Sequence, residues 1–433
     1  MPGALDGIRV LEVTQIIAGP MCGVMLSDMG ADVIKIESAA GDGMRLLGQI
    51  APSESKGFHV FNRGKRGMVL NLQDADGQAV VQRLISEMDV FLINARPGVP
   101  ERLGIDYESL RAHKPDLIYL ENTAYGPTGP SAHRAGADII AQAYSGLMAG
   151  DEKVDEHGGP DLITATTPAD FVAAFTSTIA VCAALFHRER TGEGQKIDTS
   201  LLAGAMVLQN AFASRMPVSD AVLLDPILSG LAAVRERGGS YEEMLGARGG
   251  LRALVGGAFL LYYGGYQTSD GAIMLGCVTP ANRQQVRNAL GLETGDDPTD
   301  GGDFNPLAEG SAEVVAGVRA LITERFAADT TENWVAKLDA AGAPAAQVNM
   351  PEEMVDDPQV QALGIMVDLE HRLTGPETMV GPPFSMSASP LAAQGASPPL
   401  DGDTDDVLVE YGYTTEEIAA LRSSGAVGLP DSS

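Results

Sequence analysis

The chain is poor in aromatic residues, which make up 5% of its 433 positions with a single Trp. Its cores must therefore rest on Ala, Val, Leu, Ile and Met, and the 45% apolar content can supply them. Cysteine is scarcer still. Cys22, Cys182 and Cys277 are far apart, odd in number and without metal spacing, which excludes a disulfide scaffold and fits a reducing cytoplasm. Basic residues are few, with 29 Lys and Arg against 58 Asp and Glu for a net charge of −29. That balance argues against nucleic acid and anionic membrane as partners. The N-terminus has no basic segment leading into an apolar stretch, so no secretory signal is expected. The most apolar helical stretch, Phe171 to Phe186, falls short of the ~20 residues that span a bilayer. No G-x-G-x-x-G follows the first strand, which weakens a nicotinamide-dehydrogenase reading.

What is present begins at Leu5 to Glu37, LDGIRVLEVTQIIAGPMCGVMLSDMGADVIKIE. Ile8 to Val13 reads as a buried parallel strand. Gln15, Ala18, Gly19 and Pro20 make a turn, Met21 to Met29 a helix, and Val33 to Ile36 a second strand. Such a turn lies at the carboxyl edge of an open sheet, where α/β proteins bind ligands. Small residues at Ala18 and Gly19 admit a ligand to the backbone, and the helix N-terminus favours an anion.

The α/β pattern continues for two hundred residues. Strands are expected at Met68 to Leu72, Val90 to Ile93 and Leu117 to Leu120. Helices are expected at Gln78 to Met88, from Asp138 through Gly150, and from Phe171 to Arg190. Regularity breaks near Pro217. The resulting division is a large α/β part over 1–215 and a glycine-rich connector with short helices over 216–257. A smaller α+β part follows over 258–345, and then a C-terminal return to the large part over 346–433. Tyr266 to Val278 reads as a hairpin turning at Ser269-Asp270-Gly271. Residues 387–405 read as a surface linker.

The opening block, with its ordered AGP, LSDMGADVIKIE and Gly41-Asp42-Gly43-Met44-Arg45, resembles the start of the family III CoA-transferases, which also include CoA-ester racemases. The resemblance continues in order. It passes through Asn62 to Arg66, Asn94 to Gly98 with Glu101 to Gly104, and Tyr125 to Pro130. It goes on through Ala141 to Met148, Arg190 to Gln195 and Asp356 to Val360. It implies a large Rossmann-like open-sheet domain built from both chain ends, a smaller α+β domain and an interlocked, ring-like homodimer. It also implies that coenzyme A or an acyl-CoA is the substrate, with a carboxylic acid as partner and no permanently bound cofactor or metal.

On its own, Asp170 in Thr167-Pro168-Ala169-Asp170-Phe171 reads as the N-cap of a long apolar helix. The resemblance adds the role of nucleophile, since the family's aspartate stands at this place. Helix N–H groups would then hold its carboxylate ionised. The resemblance also implies CoA contacts at Gln15, Ala18, Arg45, Lys65, Asn94, Arg96 and Arg102, with guanidinium groups suited to phosphate. A polyanionic ligand is compatible with an acidic chain, because distant carboxylates are screened over about 8 Å at physiological salt. Asp138 is a candidate substrate contact or helix cap. Gly264 and Gly265, before Tyr266, are a candidate mobile lid. The racemase branch carries a histidine where this chain has Ala137, in Gly136-Ala137-Asp138, which favours transfer over racemisation. A non-catalytic CoA-binding protein, in which Asp170 would be dispensable, is the reading from another class.

Overall fold

A computed structural model describes residues 2–163, 166–293, 295–300, 303–306 and 308–430, with 250–255 as backbone only. Two units emerge. The first comprises Met1–Asp151, Leu162–Ser214 and Pro358–Ser433, and the second Glu152–Asp161 and Arg215–Asp357.

In the first unit, runs such as RVLEV, DVIKIE and VFLI are dense in branched apolar residues, as strands covered on both faces are. The six strands are β1 (Arg9–Val13), β2 (Asp32–Glu37), β3 (Arg66–Val69), β4 (Val90–Ile93), β5 (Ile118–Thr123) and β6 (Gln195–Ser200). They lie in the order β3-β2-β1-β4-β5-β6, and every neighbouring pair is parallel. This is the doubly wound order, whose topological switch point lies between β1 and β4.

Alternation along the strands divides the core into two faces. Leu11, Ile34, Phe91 and Tyr119 pack on one face with Val80, Val81 and Leu84 of the helix Ala75–Ile85. The same face receives Val407 and Leu408 of the helix Thr404–Glu410, so the chain's C-terminal part completes a core begun near its start. Val10, Val33, Val90 and Ile118 pack on the other face. There they meet Cys22 and Leu26 of α1 (Ala18–Asp28) and Val181 and Leu185 of a helix over Pro168–Thr191.

The expected helix from Asp138 breaks at Gly146, whose φ is +85°, leaving α2 (Asp138–Ser145) and a short turn beyond it. The long helix α3 (Pro168–Thr191) exceeds the expected span. By length and composition it could cross a membrane, but half of its most apolar window is buried inside the unit. A further helix, α4 (Leu201–Leu208), packs against the start of α3. There Gly204 lets the backbones approach, since a Cβ would stand 3.1 Å from the Ala169 carbonyl.

In the second unit, the expected connector with short helices holds a pair of packed helices longer than expected, α5 (Leu224–Glu236) and α6 (Tyr241–Leu260). The Ser240 capping box starts α6 at a point where glycine content alone suggested irregularity. The hairpin β7 (Gly265–Gln267) and β8 (Ala272–Leu275) forms where expected and pairs with β9 (Ala345–Gln347). Its core joins Ile273, Leu275, Ile322, Phe326 and Leu338.

The 387–405 segment is tied down rather than loose. The Gly395 carbonyl accepts from the Gly64 N–H, and the Asp403 carboxylate accepts from the Gly67 N–H. A second tie joins the C-terminal hairpin β10 (Met366–His371) and β11 (Gly375–Val380) to the N-terminal half. His59 donates from Nδ1 to Glu377 (2.8 Å) and from Nε2 to Glu54 (2.9 Å), which requires an imidazolium. His371 stacks on it at 4.1 Å. Its Nδ1 accepts the N–H groups of Leu373 and Thr374, which leaves the proton on Nε2, facing Glu54. By spacing, Glu54, His59 and His371 could surround a cation. The His371 tautomer instead makes the trio a proton site, because Nε2 has no lone pair to give.

Burial opposes protonation of His59, but the hydrogen bonds to Glu54 and Glu377 outweigh it and raise its pKa above 6.5. Its contribution to stability is therefore complete below about pH 6.5 and is lost as pH rises through the raised folded value. His371 is shifted the other way, by burial and then by the neighbouring His59 charge. Comparison with His59→Gln isolates the first effect. Thermal melts from pH 5 to 9 should show the wild type losing its advantage over His59→Gln as pH rises. A constant gap would refute the charged tie.

Candidate functional site

The switch point between β1 and β4 is closed by a reciprocal clamp. The Gln15 N–H donates to Asn94 Oδ1 (2.9 Å), and Asn94 Nδ2 donates to the Gln15 carbonyl (2.8 Å). Ile16 follows with φ +71°, a left-handed conformation that a β-branched residue rarely adopts. Its N–H is held by both carboxylate oxygens of Asp42, at 3.0 and 3.2 Å. Such a conformation costs on the order of 1–3 kcal/mol and persists only where the surroundings fix it.

Those surroundings are a buried ionic network. Lys35 Nζ lies 3.0 Å from Asp42 and 3.4 Å from Glu12. It also donates to the Thr14 carbonyl (2.7 Å), while Lys65 Nζ lies 2.9 Å from Glu12. Burial opposes ionisation of Asp42, but Lys35 and the N–H groups of Met44 and Ile16 hold its carboxyl below the usual range. Burial lowers the Lys65 ammonium to about 8, with Glu12 opposing and Lys35 adding to the shift.

Two expected CoA contacts are corrected by this geometry. Lys65 is enclosed by Glu12, the Pro20 and Phe61 carbonyls and Asn62. Arg45 is 0% exposed. It pairs with both Glu37 oxygens (2.8 Å each), reaches Glu54 and the Pro398 carbonyl, and lies 3.4 Å over the Phe58 ring. Neither side chain can meet a phosphate, because every donor is already directed inward. They brace the turn instead.

The expected lid is also corrected. The Gly264 carbonyl accepts from the Leu275 N–H, Gly265 pairs with Met274 in β7, and the Tyr266 ring is buried against Phe326. This is a hydrogen-bonded hairpin end within the second unit, not a free glycine loop.

The remaining candidates meet at two adjoining hollows. A cavity of about 160 Å³ is lined by Gln15, Ala18, Asn94, Arg96, Asp138 and Asp170, with Ala137 and Arg134 on its wall. A cleft of about 730 Å³ runs along the carboxyl ends of β1, β2, β3 and β4 and includes Gln15, Gly41, Asn71 and Arg102. Sequence reasoning missed Arg134, which belongs to no strand or helix pattern.

Asp170 is not the N-cap. Thr167 holds that position, and Asp170 sits in the first turn of α3. The helix N–H groups go to Asp138 instead, whose Oδ1 accepts from Ala169 (2.8 Å) and Asp170 (3.0 Å). Gln142 fixes the other Asp138 oxygen. Among the described residues nothing donates to the Asp170 carboxylate, although the side chain is 7% exposed. Burial, and then the Asp138 charge, push it up from 3.8 to about 7. The expectation that helix N–H groups keep it ionised is therefore reversed: the neighbouring carboxylate has taken them.

The model of CoA-transferase family III matches residues 5–224 and 236–404. A succinate–glutarate CoA-transferase of Agrobacterium fabrum is 33% identical over 94% of this chain and 95% of its own length. The beta subunit of a succinyl-CoA–L-malate CoA-transferase of Chloroflexus aurantiacus is 32% identical over 98% of each chain. The crystal structure of a CAIB/BAIF family protein from Brucella suis superposes with a TM-score of 0.70 at 31% identity, covering 95% of this chain and 100% of that one.

An acid whose folded pKa is raised is favoured while protonated. Asp170 therefore destabilises the fold progressively as pH rises from about 4 to about 7, by an amount on the order of a few kcal/mol. Asp170→Asn should melt higher than the wild type at pH 8, and the gain should vanish near pH 4. An equal gain at both values would mean that ionisation of Asp170 is not what strains the site.

Proposed function

The chain belongs to CoA-transferase family III and is a CoA-transferase, and we propose that it transfers CoA between dicarboxylic acids through covalent chemistry at Asp170. The observation that carries this reading is a buried carboxylate that accepts no hydrogen bond among the described residues, at the wall of a cavity on the switch point. The relatives named for succinate, glutarate and malate supply the substrate class.

Ionised Asp170 attacks the thioester carbonyl of the donor. The C–S bond breaks, CoA leaves as thiolate, and a mixed anhydride remains on Asp170. The thiolate then attacks the aspartyl carbonyl of that anhydride, releasing the donor acid and leaving an aspartyl-CoA thioester. The acceptor carboxylate attacks this thioester and expels the thiolate, which takes the new acyl group and restores Asp170. A carboxylate with few donors is a stronger nucleophile than a solvated one, and its raised pKa is the counterpart of that reactivity. Asp138 acts as a positioning residue: it anchors the first turn of α3 and contributes the charge that raises Asp170. Racemisation loses support at Ala137, which lines the cavity with no exchangeable side-chain proton. The cleft at the strand ends, with Arg102 on its rim, is assigned to the CoA nucleotide.

The protein also acts as a homodimer in this reading. Phe175, Ile179 and Phe186 of α3, and Val207 and Phe212 further along the chain, are exposed apolar side chains on the first unit. The three cysteines are all free, which fits a cytoplasmic setting.

Intact-protein mass spectrometry with succinyl-CoA or glutaryl-CoA should show an adduct of CoA less water on the wild type, mapped to Asp170. It should be absent from Asp170→Ala. The initial rate of its formation should fall as pH drops through about 7. An adduct on the Asp170→Ala protein would sink the mechanism. For the assembly, Ile179→Glu with Phe186→Glu should convert a dimer to a monomer in sedimentation velocity, and an unchanged dimer would place the interface elsewhere.

A further inference from the structure

Resting on that reading, we infer that Arg134 recognises the far carboxylate of the dicarboxylic substrate, and so selects diacids over monoacids. Arg134 lines the same cavity as Asp170. Among the described residues its guanidinium meets no carboxylate. Its side-chain contacts are the rings of Tyr125 and Tyr144, whose centroids lie 5.5 and 5.7 Å from Cζ.

This arrangement is a built one. The Arg134 N–H closes a turn onto the Ser131 carbonyl (3.0 Å), and the Ser131 hydroxyl pairs with the Tyr144 hydroxyl (3.1 Å). Tyr125 and Tyr144 meet edge to face at 5.1 Å. The exposed guanidinium thus lies beside both rings, and its planar fork remains open to a bidentate partner.

Electrostatics supply the reason for such a group. The cavity wall already holds the carboxyl groups of Asp138 and Asp170. A diacid brings a second negative charge beside them, and like charges at short range are costly in a partly dehydrated hollow. A cation without an ion-pair partner on the same wall reverses that penalty for a diacid, and a monoacid gains nothing from it. Arg45, Lys35 and Lys65 are excluded from the task, because each is buried in its own ion pairs. Arg96 also lines the cavity, but it follows β4 beside the Gln15–Asn94 clamp, and among the described residues no aromatic ring lies beside its guanidinium.

The test compares glutarate with valerate as acceptors, using the Asp170 adduct loaded in advance from succinyl-CoA. Release of the adduct to each acceptor is followed in wild type, Arg134→Gln and Arg134→Lys. In Arg134→Gln, kcat/KM for glutarate should fall about ten- to hundred-fold, the size of one hydrogen bond to a charged group. Valerate should change little, and Arg134→Lys should recover part of the loss. Equal loss for both acceptors, or none for glutarate, would overturn the assignment even though the adduct forms. Failure to form the adduct in the wild type would instead overturn the covalent reading beneath it. Circular dichroism and melting of each variant separate a folding defect from a selective one. Where Arg134→Gln does not fold, the Arg134→Lys selectivity ratio alone decides.

Discussion

The buried network of Glu12, Lys35, Asp42 and Lys65 is the constraint on which the site depends. Its members sit on β1, on β2, in the loop after β2 and just before β3, so three adjacent strand ends are joined by charge. Taking four charges out of water is expensive, and such groups are weak evidence for stability in themselves. What they secure here is a backbone conformation. Asp42 accepts the N–H of a left-handed Ile16 while Lys35 holds both Asp42 and the Thr14 carbonyl. If either partner were removed, the other would remain as an uncompensated buried charge. The turn would also lose the acceptor that keeps Ile16 where its intrinsic preference opposes it. Gly23 shows how closely this is fitted, since a Cβ there would run into the Glu12 carboxylate and Lys65.

A second constraint follows from the first. The β1 turn fixes one wall of the cavity, and the α2–α3 junction fixes the other. At that junction a single carboxylate, Asp138, caps a helix that is not its own. The usual stabilisation of an anion at a helix N-terminus is thereby directed away from Asp170. Asp170 receives burial and a neighbouring charge, both of which raise its energy when ionised. The fold thus places strain in the same small volume twice, once in the Ile16 backbone and once in the Asp170 carboxylate. Binding sites concentrate strain in this way when surrounding structure over-determines them.

Much of the sheet was legible in the sequence, because β1, β2 and β4 are short runs rich in branched apolar residues, and their length and the turn residues that bound them identify them. The position of Asp170 was legible from its motif, but its hydrogen bonding was not. The donor-poor carboxylate depends on Asp138, 32 residues away, and no local pattern encodes which of two acids receives the helix N–H groups. Arg45 and Lys65 were misread for a related reason. A cation in a loop after a strand looks the same in sequence whether its partner is a ligand phosphate or a buried Glu37 or Glu12. Over 216–257 the glycine content hid the length of the helices, since α6 tolerates Gly246, Gly249 and Gly256 in a long helix started by the Ser240 box. Arg134 lay in no motif, and only the convergence of Tyr125, Tyr144 and the cavity wall distinguishes it.

These placements bear on how an acidic chain handles an anionic ligand. With a net charge of −29, its overall field opposes the approach of any polyanion. Arg45, Arg63, Lys35 and Lys65 do little to reverse that, because each is buried against a carboxylate. The local field at the two hollows is left to the arginines that remain outward, Arg96 and Arg134 at the cavity and Arg102 at the cleft. Within a Debye length of about 8 Å these three outweigh carboxylates farther off, and beyond it the acidic surface is screened. Attraction is therefore short-ranged and confined to the strand ends, so that anion recognition depends on placement rather than on net charge.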